Sequence, residues 1–125
     1  MKIEKIERYP IVTLCGSSTQ KTDWEHWQRE FALKGNVVLA INIYLGLEKP
    51  DYNVEDETKN LLRDLHRQKI SMADRVCFIL KPNGSLGKHT NEELEYAKKL
   101  NKPVTYVHSI SNECSSQRNS EKVKK

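Results

Sequence analysis

Four short apolar runs, set off by glycine, proline or polar residues and separated by stretches of helical pattern, leave this chain few folds to choose from. The runs are residues 11–15, 36–41, 75–80 and 103–107. Continuous apolar runs of this length suit strands buried on both faces, as in parallel sheets. Helices are expected over residues 22–34, 54–72 and 90–100. Strands alternating with helices imply an α/β domain, a parallel sheet of four to five strands with helices on both faces. Right-handed crossovers from a central first strand then give the order 2-1-3-4, a three-layer Rossmann-like or flavodoxin-like arrangement. The topological switch point falls between strands one and three, where ligands bind in such sheets.

Local signals refine the helices. Thr22 or Asp23 is a candidate cap for the first helix, and Gly35 is placed to be its C′ residue. Trp24, Trp27, Phe31 and Leu33 form its expected packing stripe. The second helix is expected to turn Leu61, Leu62, Leu65 and Met72 inward, with Asp74 ending it before strand three. The connection over residues 42–53 holds Tyr44, Gly46, Pro50 and Tyr52, and a loop of that length in a small domain usually has a function. Residues 109–125 are almost devoid of apolar side chains. They read as a disordered polar tail behind a domain spanning 1–108.

Composition excludes several classes of function. Arg118, Lys122, Lys124 and Lys125 against Glu113 and Glu121 put +2 of the net +4 charge in the tail. The remaining +2 forms no basic stripe with interleaved aromatics, so no nucleic-acid polymer is expected as a partner. No apolar run approaches a membrane span, and the first residues lack a secretory pattern. Cys15, Cys77 and Cys114 are odd in number and lack metal-ligand spacing, consistent with reduced thiols in a cytoplasmic protein. His26, His89 and His108 form no metal-binding pattern with them, so neither metal nor cofactor is expected.

Two segments should meet at the switch point. Gly16-Ser17-Ser18-Thr19 follows the first strand with small residues and hydroxyls suited to phosphate or ribose. It has neither the dinucleotide fingerprint nor the P-loop spacing, and an ordinary strand-to-helix loop reads equally well. Residues 83–97 follow the third strand, turn through Gly84 and Gly87, and open a helix. Thr90 and Glu93 have capping-box spacing, which would tie the carboxylate to its own helix. Alternatively, Glu93 shares a helical face with Ala97 and Leu100, pointing toward the sheet, where it can act as nucleophile or acid. His66 lies at the apolar boundary of the second helix, as filler or as a group orienting a base or carboxylate. Tyr44, just past a strand end, is the better candidate for stacking on a base; Trp24 and Trp27 read as packing residues.

With these residues in view, Cys15-Gly16-Ser17, the run Leu65-His66-Arg67-Gln68-Lys69-Ile70-Ser71-Met72-Ala73-Asp74 and the block Gly84-x-Leu86-Gly87-x-x-Thr90-x-x-Glu93-Leu94-Glu95-Tyr96-Ala97 with Lys102-Pro103-Val104 resemble the nucleoside 2-deoxyribosyltransferase-like superfamily. That group includes the deoxynucleoside 5′-monophosphate N-glycosidases. The resemblance implies a glutamate nucleophile at Glu93 that attacks the anomeric carbon of a deoxyribosyl group and forms a covalent sugar intermediate. It places sugar- or phosphate-binding loops at Gly16, Ser17 and Ser18 and at Ser85, Leu86 and Gly87; Asn83 and Thr90, in the same turn, are further candidates for substrate binding. The family usually has aspartate where this chain has His66, and often tyrosine where it has Thr13.

The expected activity is therefore cleavage or transfer of the N-glycosidic bond of a small nucleoside or nucleoside 5′-monophosphate. Glu93 would be the nucleophile and His66, as imidazolium, the proton donor to the leaving base. The alternative is a non-catalytic protein that senses or sequesters a small nucleotide. A third reading is an interaction module whose capping box is only a cap. Exposed sheet edges suggest a homo-oligomer, with a dimer as the expectation.

Overall fold

The structure is a computed structural model that describes residues 8–41 and 56–110. Ile11–Cys15 forms β1, the strand on which the sheet is built. It pairs in parallel with β2 (Val37–Leu39) on one side and with β3 (Arg75–Ile79) on the other. β4 (Val104–Val107) adds in parallel to β3, so the order is β2-β1-β3-β4. This is the four-stranded, all-parallel sheet expected from the apolar runs. β1 has the expected bounds, whereas β2, β3 and β4 are shorter than their apolar runs by one to three residues.

Among the described residues three helices connect the strands: α1 (Lys21–Leu33), α2 (Asp56–Met72) and α3 (Lys88–Lys99). Side-chain alternation along the strands divides the core into two layers. Val12, Leu14, Cys77 and Ile79 pack with Trp24, and with Trp27 and Phe31 beside it, under α1. Cys15, Val76 and Phe78 pack with Ile70, Ala73, Leu94 and Ala97 under α2 and α3. Helices thus cover both faces. Among the described residues no helix is long and apolar enough to cross a membrane.

Several local expectations are corrected. α1 starts from Gln20 with no side-chain cap, so neither Thr22 nor Asp23 caps it. Asp23 is instead buried, accepting hydrogen bonds from Gln20 Nε2 (2.7 Å), Ser109 Oγ (2.7 Å) and the Ile110 amide (2.7 Å). Ser109 and Ile110, expected to begin the tail, are therefore fastened to α1; residues 111–125 lie outside the described residues. Leu33 is 76% exposed and does not join the stripe. At the other end of α1, Gly35 has φ +92°, and the amides of Gly35 and Asn36 reach the carbonyls of Ala32 and Phe31. That is a Schellman ending with glycine at C′, as expected.

On α2 the inward face is Leu62, His66 and Ile70, not the full leucine set; Leu61, Leu65 and Met72 are about half exposed. Leucines flank both sides of that face, so the periodicity alone leaves its phase open. Lys102 Nζ caps the end of α2 by donating to the carbonyls of Ser71 (3.0 Å) and Ala73 (2.8 Å). Asp74 then accepts the Ile11 amide at 2.8 Å, pinning the start of β1 to the turn before β3.

Candidate active site

The carboxyl ends of β1 and β3 lie side by side, and the loops that leave them are held by their own hydrogen bonds. After β1, the Ser17 carbonyl accepts from the Gln20 amide (3.1 Å) and from Nε1 of the fully buried Trp24 (2.8 Å). Gln20 Nε2 reaches across to the Leu80 carbonyl at the end of β3 (3.1 Å). Gly16 is required by close approach: a Cβ there would lie 3.2 Å from Ile79 Cβ and 3.6 Å from Trp24. After β3, Gly84 turns the chain at φ +87°, and Asn83 Oδ1 accepts from both the amide (3.0 Å) and the hydroxyl (2.7 Å) of Ser85. Asn83 and Ser85 thus close the turn and do not line the cavity beside it.

That cavity has a volume of about 270 Å3. Gly16, Ser17 and Ser18 from the first loop, His66 from α2, and Gly87, Thr90 and Glu93 from the start of α3 all line it. Leu62 and Leu65 supply apolar surface, and Lys59, Arg63, Lys69, Lys81 and Lys88 surround it with positive charge. Glu93 is the one acid among the described lining residues. Tyr44 lies outside the described residues.

The capping box does not form. α3 begins at Lys88, two residues earlier than expected, with Gly87 at the N-cap and no side-chain cap. Thr90 is therefore inside the helix and buried, 4% exposed. A glycine tolerates the N-cap conformation, which releases Thr90 and Glu93 from capping. Glu93, one turn further on, faces the sheet; its side chain is 18% exposed.

Glu93 meets two buried groups. Its Oε1 lies 4.0 Å from Nε2 of His66, and that Nε2 lies 3.4 Å from Cys15 Sγ. Burial lifts the Glu93 carboxyl from 4.5 to about 7; the Cys15 thiol hydrogen bond and the Arg67 charge pull the other way. Burial, reinforced by the Lys69 ammonium, lowers His66 from 6.5 to about 4. The Leu14 carbonyl opposes that shift, yet Nδ1 has no partner of normal hydrogen-bond geometry. Burial, then the Glu93 charge, pushes the Cys15 thiol well above its ordinary value. At neutral pH His66 is therefore a neutral imidazole, and its approach to Glu93 is not an ion pair. Burial thus works against the imidazolium expected at His66, since a cation so enclosed loses hydration.

Cys15 was not singled out as a site residue, because a cysteine inside an apolar strand reads as core. Its position next to Gly16, at the strand end that feeds the loop, is the signal that marks it. The basic rim was missed as well, although Lys59, Leu62, Arg63, His66 and Lys69 recur at helical spacing on one side of α2.

No protein-family model and no curated protein sequence matches the chain. Among solved structures it is similar to a 2-desoxiribosyltransferase from Leishmania mexicana, with a TM-score of 0.54 at 18% identity over 79% of this chain and 64% of that one. It thus spans a little under two thirds of the Leishmania protein. It is also similar to a 2-deoxyribosyltransferase from the psychrotolerant bacterium Bacillus psychrosaccharolyticus, with a TM-score of 0.53 at 16% identity over 90% of this chain and 86% of that one. At these identities the likeness is one of architecture, and the chain has a nucleoside 2-deoxyribosyltransferase-like fold.

Proposed function

We propose that this chain cleaves or transfers the N-glycosidic bond of a small (deoxy)nucleoside or nucleoside 5′-monophosphate through Glu93. The observation that carries the reading is a carboxylate turned toward the sheet and into a small cavity, facing the Gly16–Ser18 loop instead of capping its own helix. The fold shared with two 2-deoxyribosyltransferases supports it.

In the proposed reaction the Glu93 carboxylate attacks C1′ of the sugar while the C1′–N bond breaks and its electron pair leaves with the base. Water or a second base then attacks C1′ and releases Glu93. The Cys15 thiol, which keeps its proton, hydrogen-bonds the carboxylate and favours its reactive charged form. His66 acts as a neutral positioning group. The proton for the leaving base comes from another group or from water; Lys69, lowered from 10.5 by burial, is the described lining residue best suited.

The five basic residues against one acid favour an anionic substrate, hence the 5′-monophosphate over the free nucleoside. The test is base release from nucleosides and monophosphates by wild type, Glu93→Ala and Glu93→Gln. A loss of about 10³-fold or more in both variants is expected. Undiminished turnover in both removes the mechanism.

The neutral state of His66 favours one other reading, a non-catalytic protein that senses or sequesters a nucleotide, because the proton donor expected there is lacking. Incubation with a nucleotide panel followed by chromatography separates the two. The binding protein returns its ligand intact, whereas the enzyme releases free base.

A further inference from the structure

Cys15 Sγ, His66 Nε2 and a Glu93 carboxylate oxygen all lie within 4.8 Å of one another on three different elements, β1, α2 and α3. We propose that these three side chains form a binding site for Zn2+, and that metal occupancy and glycosidic chemistry exclude each other.

The geometry supports a single ion. The 3.4 Å separation of sulfur and imidazole nitrogen is close to the edge of a zinc tetrahedron built from S and N ligands. The 4.0 Å separation of nitrogen and carboxylate oxygen is somewhat long. With the third separation no more than 4.8 Å, a point equidistant from the three atoms lies at most about 2.4 Å from each, so inward movements of a few tenths of an ångström complete the coordination. The donor set of thiolate, imidazole and carboxylate selects zinc over magnesium or calcium. Three protein ligands leave a fourth position, and His66 and Glu93 both line the cavity through which water or another ligand reaches it. A proton on Nδ1 leaves the Nε2 lone pair directed at the cluster.

Binding is balanced in charge and protons. The Cys15 thiol, and Glu93 where it is protonated, release their protons to solvent as the bonds to the metal form, and thiolate with carboxylate neutralises the dication. The lysines and Arg63 around the cavity oppose the cation's approach, and this neutralisation acts against them. Once bound, the ion occupies the Glu93 lone pair that the proposed attack on C1′ requires. Zinc would then act as an inhibitor.

The binding claim is independent of the proposed enzymatic role and is tested separately. The full chain, stripped of metal with a chelator and exchanged into chelator-free buffer, is titrated with Co2+, whose thiolate charge-transfer band in the near ultraviolet reports a sulfur ligand. One equivalent is expected, displaced by one equivalent of Zn2+. The band should persist in Cys114→Ser and vanish in Cys15→Ser. Glu93→Gln, a partly exposed position where the fold is readily retained, should weaken Co2+ by about tenfold or more. Absence of the band up to millimolar cobalt overturns the proposal. So does a band of equal strength in Cys15→Ser, or unchanged affinity in Glu93→Gln. If binding passes these tests, base release by the wild type should fall as Zn2+ saturates the site; undiminished release at full occupancy overturns the mutual exclusion while leaving the site.

Discussion

Replacing Glu93 by glutamine should reshape how stability depends on pH, and the shape follows from two opposed groups. Glu93 holds its proton more tightly folded than unfolded, at about 7 against 4.5. Its contribution is therefore most favourable below pH 4.5 and is lost as pH rises through 7. His66 behaves oppositely, at about 4 folded against 6.5 unfolded, so its penalty is present below pH 4 and lifts as pH rises to 6.5. Each shift corresponds to about 3 kcal/mol. Between pH 4.5 and 6.5 the folded state carries the extra proton on Glu93 and the unfolded state carries it on histidine. The two slopes cancel. In Glu93→Gln only the histidine slope remains, and every other titrating group is common to both proteins. The stability of the variant minus that of the wild type should therefore climb by about 3 kcal/mol from pH 4.5 to 7 and stay level above. Urea denaturation followed by tryptophan fluorescence, with chelator present, measures it, since Trp24 is fully buried. A difference curve that is flat, or that falls with pH, refutes a proton held by burial on Glu93.

Three other outcomes follow from particular contacts. Gly16→Ala places a methyl group 3.2 Å from Ile79 Cβ and should cost about 1–2 kcal/mol in thermal or urea denaturation, with weaker ligand binding as the loop shifts. Asp23→Ala removes the acceptor shared by Gln20, Ser109 and Ile110 and should cost about 2–4 kcal/mol in the same assay. Raising ionic strength from about 0.05 to 0.5 M should weaken a nucleoside monophosphate about tenfold in calorimetry while leaving the parent nucleoside within about twofold.

The fold was largely legible because its strands are short, continuous apolar runs and its crossovers have one allowed hand. The Thr90–Glu93 pair was ambiguous for a physical reason. Capping-box spacing does not reveal that Gly87 already starts the helix three residues earlier. On α2 the leucines bracket the true inward face, so His66 and Ile70 went unrecognised as its centre. The Cys15–His66–Glu93 cluster joins residues 51 and 27 positions apart in sequence, and only the packing of β1, α2 and α3 brings them together. No local pattern encodes that meeting.

The most direct measurement is the intact mass of the protein during turnover of a slow nucleoside or nucleotide substrate, with the modified residue located by peptide mapping. An added glycosyl group, esterified to the side chain at position 93 and lost on addition of an acceptor base, is the predicted result. Base release with the sugar attached to a different residue, or to none at any stage, would contradict a covalent role for this carboxylate.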